Sequence, residues 1–146
     1  MLKLNLNEIL DASVAVFDVQ QGLEIRYTRS SEPVWIMGNK DQCLRILNNL
    51  LKNAVQATDE VTNPTITITV ELNDDEIKVA VQDNGIGISD TLKEKMFTPN
   101  FTTKSTGSGL GLAMVKNIVD GLGGKIWFEN NEGRGVTFFV TFRRAA

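Results

Sequence analysis

The sequence contains no histidine among its 146 residues, and this absence restricts its chemistry more than any other feature of its composition. Histidine is the side chain that titrates near neutral pH, and it is a common catalytic base and metal ligand. Any mechanism that needs an imidazole must therefore obtain it from another domain or another molecule.

Cysteine and long apolar runs are also scarce. Cys43 is the only cysteine, so the chain cannot form a disulfide framework of its own. Its cysteine content is therefore explained more simply by a reducing compartment than by an oxidising one. No stretch approaches the roughly 18 consecutive apolar residues of a membrane span, and the N-terminus lacks the basic-then-apolar pattern of a signal peptide. These absences predict a cytoplasmic location for the chain.

Clusters of positive charge are missing as well. The net charge is -3 and the pI is near 5.0. A nucleic-acid surface needs clustered Lys and Arg, so we predict no nucleic-acid partner. The hydrophobic content of 42% is sufficient, at this length, for the core of one domain.

The sequence does contain a regular succession of helical and strand patterns. Apolar spacing predicts helices at "LNLNEILDASVAVF", capped by Asn5 or Asn7, at 41–58, capped by Asp41, at 89–96, and at "LGLAMVKNIVDGLGG". Alternation predicts strands "GLEIRYTR" and "PVWIMG", then the hairpins "TITITVEL" with "EIKVAVQD" and "KIWFEN" with "GVTFFVTF". This order favours an α+β fold, a two-layer sandwich whose mixed, mainly antiparallel sheet is covered on one face by helices.

The long second helix carries a stripe of amides. Asn49, Asn53 and Gln56 lie at positions i, i+4 and i+7, so they share one face. Amide oxygens are suitable ligands for Mg²⁺, which takes much of its remaining shell from water and substrate phosphates. The stripe alone is also compatible with a solvated helix face.

Two glycine-rich segments contain further candidate residues. In "DNGIGI", Asp83 can accept a hydrogen bond from an exocyclic amine, and Gly85 and Gly87 permit a flat ligand to approach. In "GSGLGL", glycines precede a helix whose free N–H groups can meet phosphate oxygens. A helix-capping turn and an ordinary helix start are the alternatives for the two segments.

Together these segments resemble the ATP-binding catalytic domain of sensor histidine kinases, within the superfamily that includes DNA gyrase and the mismatch-repair ATPases. The resemblance rests on "NNLLKNA" (the N box), "DNGIGI" and "GSGLGL" (the two glycine boxes) and "MFTPNFTTK" (the F box and lid). It covers about two thirds or more of the chain, and the probability that four motifs would agree in order by chance is very small.

The resemblance implies ATP and Mg²⁺ as cofactors and assigns residues to them. Asp83 would bind the adenine amine, Asn53 would bind Mg²⁺, and Asn49 and Lys104 would act in catalysis. Gly85 and Gly87 would let the adenine ring approach. The glycines of the second box would hinge a lid over the phosphates, and Phe97 and Phe101 would hold that lid against the body of the domain. The implied nucleotide-binding residues are Asn49, Asn53, Gln56, Asp83, Gly85, Gly87, Ile88, Phe97, Thr103, Lys104, Gly107, Gly109, Leu110, Gly111, Leu112 and Thr137.

Some positions depart from the family pattern. Gln56 stands where many histidine kinases have a phosphate-contacting Lys, and Val136 stands where the superfamily often has a Thr that supports the adenine-binding Asp. These departures predict a modest affinity for ATP. At Asn49, gyrase-type ATPases and anti-sigma-factor serine kinases carry a Glu that activates water or a hydroxyl, and an amide cannot do this.

The reaction implied is transfer of the ATP γ-phosphoryl group to a histidine, because a neutral imidazole is already nucleophilic. That histidine would lie on a separate helical dimerisation domain, and a response regulator would be the downstream partner. We expect 1–20 to be a linker helix from that domain, 21–146 to be the catalytic domain, and the chain itself to be monomeric. The membrane anchoring of the full kinase stays open.

Two other functions stay open at this point. One is an anti-sigma-factor-type serine kinase, which has a similar length and lid but lacks support at Asn49. The other is a non-catalytic ATP-sensing module whose lid reports nucleotide occupancy.

Overall fold

The computed structural model describes residues 1–19, 22–89, 97, 111–131 and 134–145. The three helices in these residues are α1 (Leu6–Phe17), α2 (Lys40–Ala57) and α3 (Gly111–Gly121). The strands are β1 (Leu2–Asn5), β2 (Glu24–Tyr27), β3 (Trp35–Gly38), β4 (Thr65–Leu72), β5 (Glu76–Asp83), β6 (Ile126–Asn130) and β7 (Val136–Arg143).

The main sheet has five strands in the order β2-β4-β5-β7-β6. The β2–β4 pair is parallel, and the other three pairs are antiparallel. Strands β1 and β3 form a separate antiparallel pair. The predicted α+β class, with a mixed and mainly antiparallel sheet, is confirmed.

One hydrophobic core joins the helices to a single face of the sheet. Alternation along β5 turns Ile77, Val79 and Val81 inward, where they pack with apolar residues of α1, α2 and α3. Asp83 is the next residue in this inward row, and it is also the last residue of the strand. The alternation along β5 therefore places the Asp83 carboxylate at the end of the core.

Of the predicted N-terminal caps, the one for α1 is correct and the one for α2 is wrong. Asn5 caps α1, since its side-chain oxygen accepts from the Asn7 amide at 3.1 Å. For α2 the predicted cap Asp41 is wrong, because Asn39 has the extended backbone and accepts from the Gln42 amide at 3.1 Å. Asp41 instead lies in the first turn, where a carboxylate still interacts favourably with the helix dipole.

Strand β1 was not predicted, since "LKLN" is too short to give a pattern and forms a strand only by pairing with β3. The predicted helix at 89–96 and the loop after it lie outside the described residues, apart from Ser89 and Phe97. In the described part of the chain, no helix combines the length and apolar character needed to cross a bilayer. The division at residues 20 and 21 stays a prediction, although Leu6, Ile9 and Leu10 of α1 belong to the common core.

Candidate functional site

Asp83 is the most deeply buried acidic side chain of the site, with 3% of its surface exposed. Its Oδ1 accepts from the backbone N–H of Gly85 at 2.8 Å and of Val136 at 3.3 Å. Burial raises the pKa of the Asp83 carboxyl, and these two N–H donors oppose the shift. Among the described residues no donor reaches Oδ2, which leaves this oxygen for an external partner.

The first glycine box is shaped by close packing against α2. A side chain at Gly85 would collide with the backbone carbonyl of Ala57, the last residue of α2, so only glycine fits there. Gly87 has a φ of 79°, a left-handed conformation that other residues rarely adopt. The glycines thus hold the loop against the helix end and leave its outer side open.

The corner between β6 and β7 holds this loop from the other side. The Asn130 side chain bonds both backbone groups of Ile88, and Asn131 donates to the Asp83 carbonyl at 3.2 Å. Arg134 donates through Nε to the Gly85 carbonyl, also at 3.2 Å. Sequence reasoning missed all three residues. The only signal in the sequence is the pair of amides Asn130 and Asn131, where the strand pattern "KIWFEN" ends.

The amide stripe of α2 meets the second glycine box. Asn49 donates through Nδ2 to the Arg45 carbonyl at 2.7 Å, so Oδ1 is the amide atom that this bond leaves unused. Gly111 lies against that oxygen: a side-chain carbon at Gly111 would be 3.0 Å from it. The structure therefore brings Gly111, the last glycine of the second glycine box, next to Asn49 of the N box.

The rest of the stripe lies further along α2. Asn53 is half-buried and has no hydrogen-bonding partner within the described segments, while Gln56 is half-buried and engaged. Both atoms of the Asn53 amide are thus free of hydrogen bonds to the described residues, and its oxygen could serve a metal ion. Its neutral oxygen has the chemistry that Mg²⁺ accepts, so the residues present fit this cofactor.

Aromatic contacts connect the F box to the sheet. The ring centroids of Phe97 and Phe128 are 5.9 Å apart, and Phe128 lies 5.5 Å from Phe138 of β7. Phe97 is therefore attached to the body of the domain, where the resemblance expects the lid to be anchored. Ile88 and Leu112 are also partly buried against the core.

Thr137 is not brought to the carboxylate of Asp83. It pairs with Gln82, the neighbour of Asp83, so alternation places its side chain on the opposite face of the sheet. Its hydroxyl donates to Asn131 Oδ1 at 2.6 Å, which connects it to the Asp83 backbone only indirectly. The support for Asp83 comes instead from the backbone N–H of Val136.

Some of the predicted site residues lie in segments that the structure does not describe. The site residues outside the described residues are Thr103, Lys104, Gly107, Gly109 and Leu110. Their proposed contacts stay predictions, as does the holding role of Phe101.

Comparisons with known proteins bear on the family and the fold. A family model described as histidine kinase-, DNA gyrase B-, and HSP90-like ATPase matches residues 38–146. Among curated proteins, sensor histidine kinase ZraS of Salmonella typhi is 36% identical over 143 residues, which is 94% of this chain and 30% of that protein. ZraS of Escherichia coli (strain K12) is 38% identical over 116 residues, 80% of this chain and 24% of that protein.

Solved structures give the same result. The catalytic domain of histidine kinase ThkA, in a nucleotide-free form, aligns with a TM-score of 0.88 and 35% identity over 98% of this chain and 95% of that chain. ThkA has also been solved in complex with the response regulator protein TrrA, with a TM-score of 0.83, 32% identity, and 99% and 42% of the two chains covered. The chain spans about a quarter to a third of the length of the curated relatives named above.

Proposed function

The chain belongs to the histidine kinase-, DNA gyrase B- and HSP90-like ATPase family, as a sensor histidine kinase ATP-binding domain, and on this premise we propose its reaction. It positions ATP for transfer of the γ-phosphoryl group to a histidine on a separate helical dimerisation domain. The proposal is consistent with the composition, because this chain has no histidine to phosphorylate.

The observation that carries the proposal is the environment of Asp83. Its Oδ1 is held by two backbone donors while Oδ2 has no donor from the described residues, in a corner lined by glycines. A carboxylate oxygen held in this way accepts a hydrogen bond from the amino group of adenine, whereas guanine presents a carbonyl there. The corner would thus select ATP over GTP.

The other end of the site would serve the phosphates. We propose that Asn53 holds Mg²⁺ and that Asn49 Oδ1, beside Gly111, lies next to the phosphates. When bound, Mg²⁺ neutralises charge on the phosphate oxygens during transfer. Asn49 cannot remove a proton from water, so hydrolysis should be slow, whereas a neutral imidazole can attack without a base.

Two partners follow from this proposal. The dimerisation domain supplies the phosphoacceptor histidine, and a response regulator receives the group next. The response regulator is supported by ThkA, a relative that has been solved with TrrA.

A single-turnover experiment tests the proposal. The chain is incubated with γ-labelled ATP and a histidine-bearing dimerisation domain from a related sensor kinase. We expect acid-labile, base-stable label on that domain, and no label when its histidine is replaced by glutamine. Transfer should be slower than in an intact kinase, since the two pieces are untethered.

Other outcomes would contradict it in distinguishable ways. Acid-stable label on a serine of a partner would indicate a serine kinase. Tight ATP binding with no transfer to any acceptor would indicate a sensing module, and rapid phosphate release by the chain alone would indicate an ATPase with an unrecognised base.

A further inference from the structure

Asn130 makes a two-point contact with the backbone of the first glycine box. Its Oδ1 accepts from the Ile88 N–H at 2.9 Å, and its Nδ2 donates to the Ile88 carbonyl at 2.6 Å. A side-chain amide here satisfies one donor and one acceptor of the same residue, as a neighbouring strand would. The contact fixes the far end of the loop that begins at Asp83.

Strand pairing supports Asn130. It is the last residue of β6 and pairs with Val136, whose N–H donates to Asp83 Oδ1. The same corner therefore holds both ends of the loop, Asp83 at its start and Ile88 at its finish. Between them, Gly87 has its left-handed backbone so near Asn130 that an added side-chain carbon would lie 3.4 Å from Oδ1.

We propose that Asn130 is a positioning residue for the nucleotide site. It holds Ile88, and through it Gly87, in the conformation that receives the base before any nucleotide arrives. This inference rests on the proposed function, because it assigns Asn130 a role in the same adenine-binding corner.

The proposed role concerns affinity and leaves the chemical step unchanged. Asn130 is exposed, and its side-chain hydrogen bonds within the described residues go to the Ile88 backbone alone. Without it the loop would occupy several conformations, and the apparent affinity would fall by the fraction that remains competent. Once nucleotide is bound, the loop is held by the ligand, so the rate of transfer at saturation should not change.

The test compares Asn130→Ala with Asn117→Ala, the same substitution at an exposed position of α3. Three quantities are measured for each variant: hydrogen exchange of the Ile88 amide without nucleotide, the dissociation constant of an ATP analogue, and single-turnover transfer at saturating ATP. For Asn130→Ala we expect faster exchange at Ile88, a dissociation constant raised by about fivefold, as for the loss of one net hydrogen bond, and unchanged transfer. Asn117→Ala should match the unaltered chain in all three.

If Asn130→Ala does not fold, Asn130→Asp replaces it, since it keeps the size and the acceptor but cannot donate to the Ile88 carbonyl. The same three results are expected. Unchanged exchange at Ile88, or an unchanged dissociation constant in a chain that binds the analogue, would overturn this inference alone. Failure of the unaltered chain to bind any ATP analogue would overturn the proposed function together with it.

Discussion

The two ends of the candidate site differ in how completely the protein itself satisfies their polar atoms. At the sheet end, Asp83 is 3% exposed, and its Oδ1 and its carbonyl oxygen both accept hydrogen bonds from the chain. At the helix end, Asn53 is half-buried and has no partner among the residues that the structure describes. The sheet end is thus held by the chain's own donors, whereas under the proposed function the helix end would be completed by ligand and metal.

This difference has a physical reason. A buried carboxylate is costly unless it is hydrogen-bonded, so the two donors to Asp83 Oδ1 must be in place in the folded chain without ligand. A half-exposed neutral amide can be hydrogen-bonded by water, so leaving it without a protein partner carries no desolvation penalty in the ligand-free state. The two ends should therefore respond differently to substitution.

The largest expected effect is on the sheet end. Asp83→Asn should weaken binding of an ATP analogue by about tenfold or more, because a hydrogen bond to a charged group contributes roughly 1.5–3 kcal/mol. The fold should persist, since the amide oxygen still accepts from Gly85 and Val136. Titration calorimetry measures the change, with Asp120→Asn on the exposed face of α3 as the matched control. Equal affinities of the Asp83 variant and the unaltered chain would remove Asp83 from the base-binding corner.

A smaller effect is expected at the helix end. Asn53→Ala should raise the Mg²⁺ concentration needed for nucleotide binding by roughly two- to tenfold, if its oxygen contributes as much as a neutral hydrogen bond. Stability without ligand should hardly change, because the side chain has no partner among the described residues. Nucleotide titrations at several Mg²⁺ concentrations, with Asn117→Ala as control, measure this effect. An unaltered Mg²⁺ dependence would mean that Asn53 is not a ligand.

The smallest effect concerns stability and pH. Burial raises the pKa of Asp83 above its ordinary value of 3.8, so between that value and the raised pKa the folded state binds more protons than the unfolded state. Ionisation of Asp83 should therefore lower the free energy of unfolding as pH rises through this window, by at most about 1.4 kcal/mol per pH unit. Asp83→Asn should lack this loss. Urea unfolding of both proteins across acidic pH checks the difference, and parallel curves would contradict it.

The sequence drew attention to candidate residues on α2 and β5, whose roles stay predictions, but not to the residues that support the loop beside them. Asn49, Asn53 and Asp83 lie within motifs that follow a helix or strand period, so local patterns and the resemblance were enough to select them. Asn130, Asn131 and Arg134 act across 42 to 49 positions, on a loop in another hairpin. No local period marks such a contact, because it depends on the order of strands in the sheet.

Thr137 shows how the pairing register decides where a side chain points. The resemblance implies a nucleotide contact for Thr137, which stays a prediction, and the register turns its hydroxyl toward Asn131, on the face of the sheet opposite to the Asp83 side chain. A shift of one residue along a strand reverses the face, and only the ladder between β5 and β7 decides it.

The sequence by itself determined the class of fold, the absence of histidine from this chain and the identity of the four motifs, because composition, periodicity and motif order are properties of the chain. Only the tertiary structure decided which atoms of those motifs remain available to a ligand. Packing of Gly85 against α2, the corner that holds Ile88 and the donors that occupy Asp83 Oδ1 all come from distant elements. Burial and hydrogen bonding between elements, unlike periodicity, depend on how the elements meet in space.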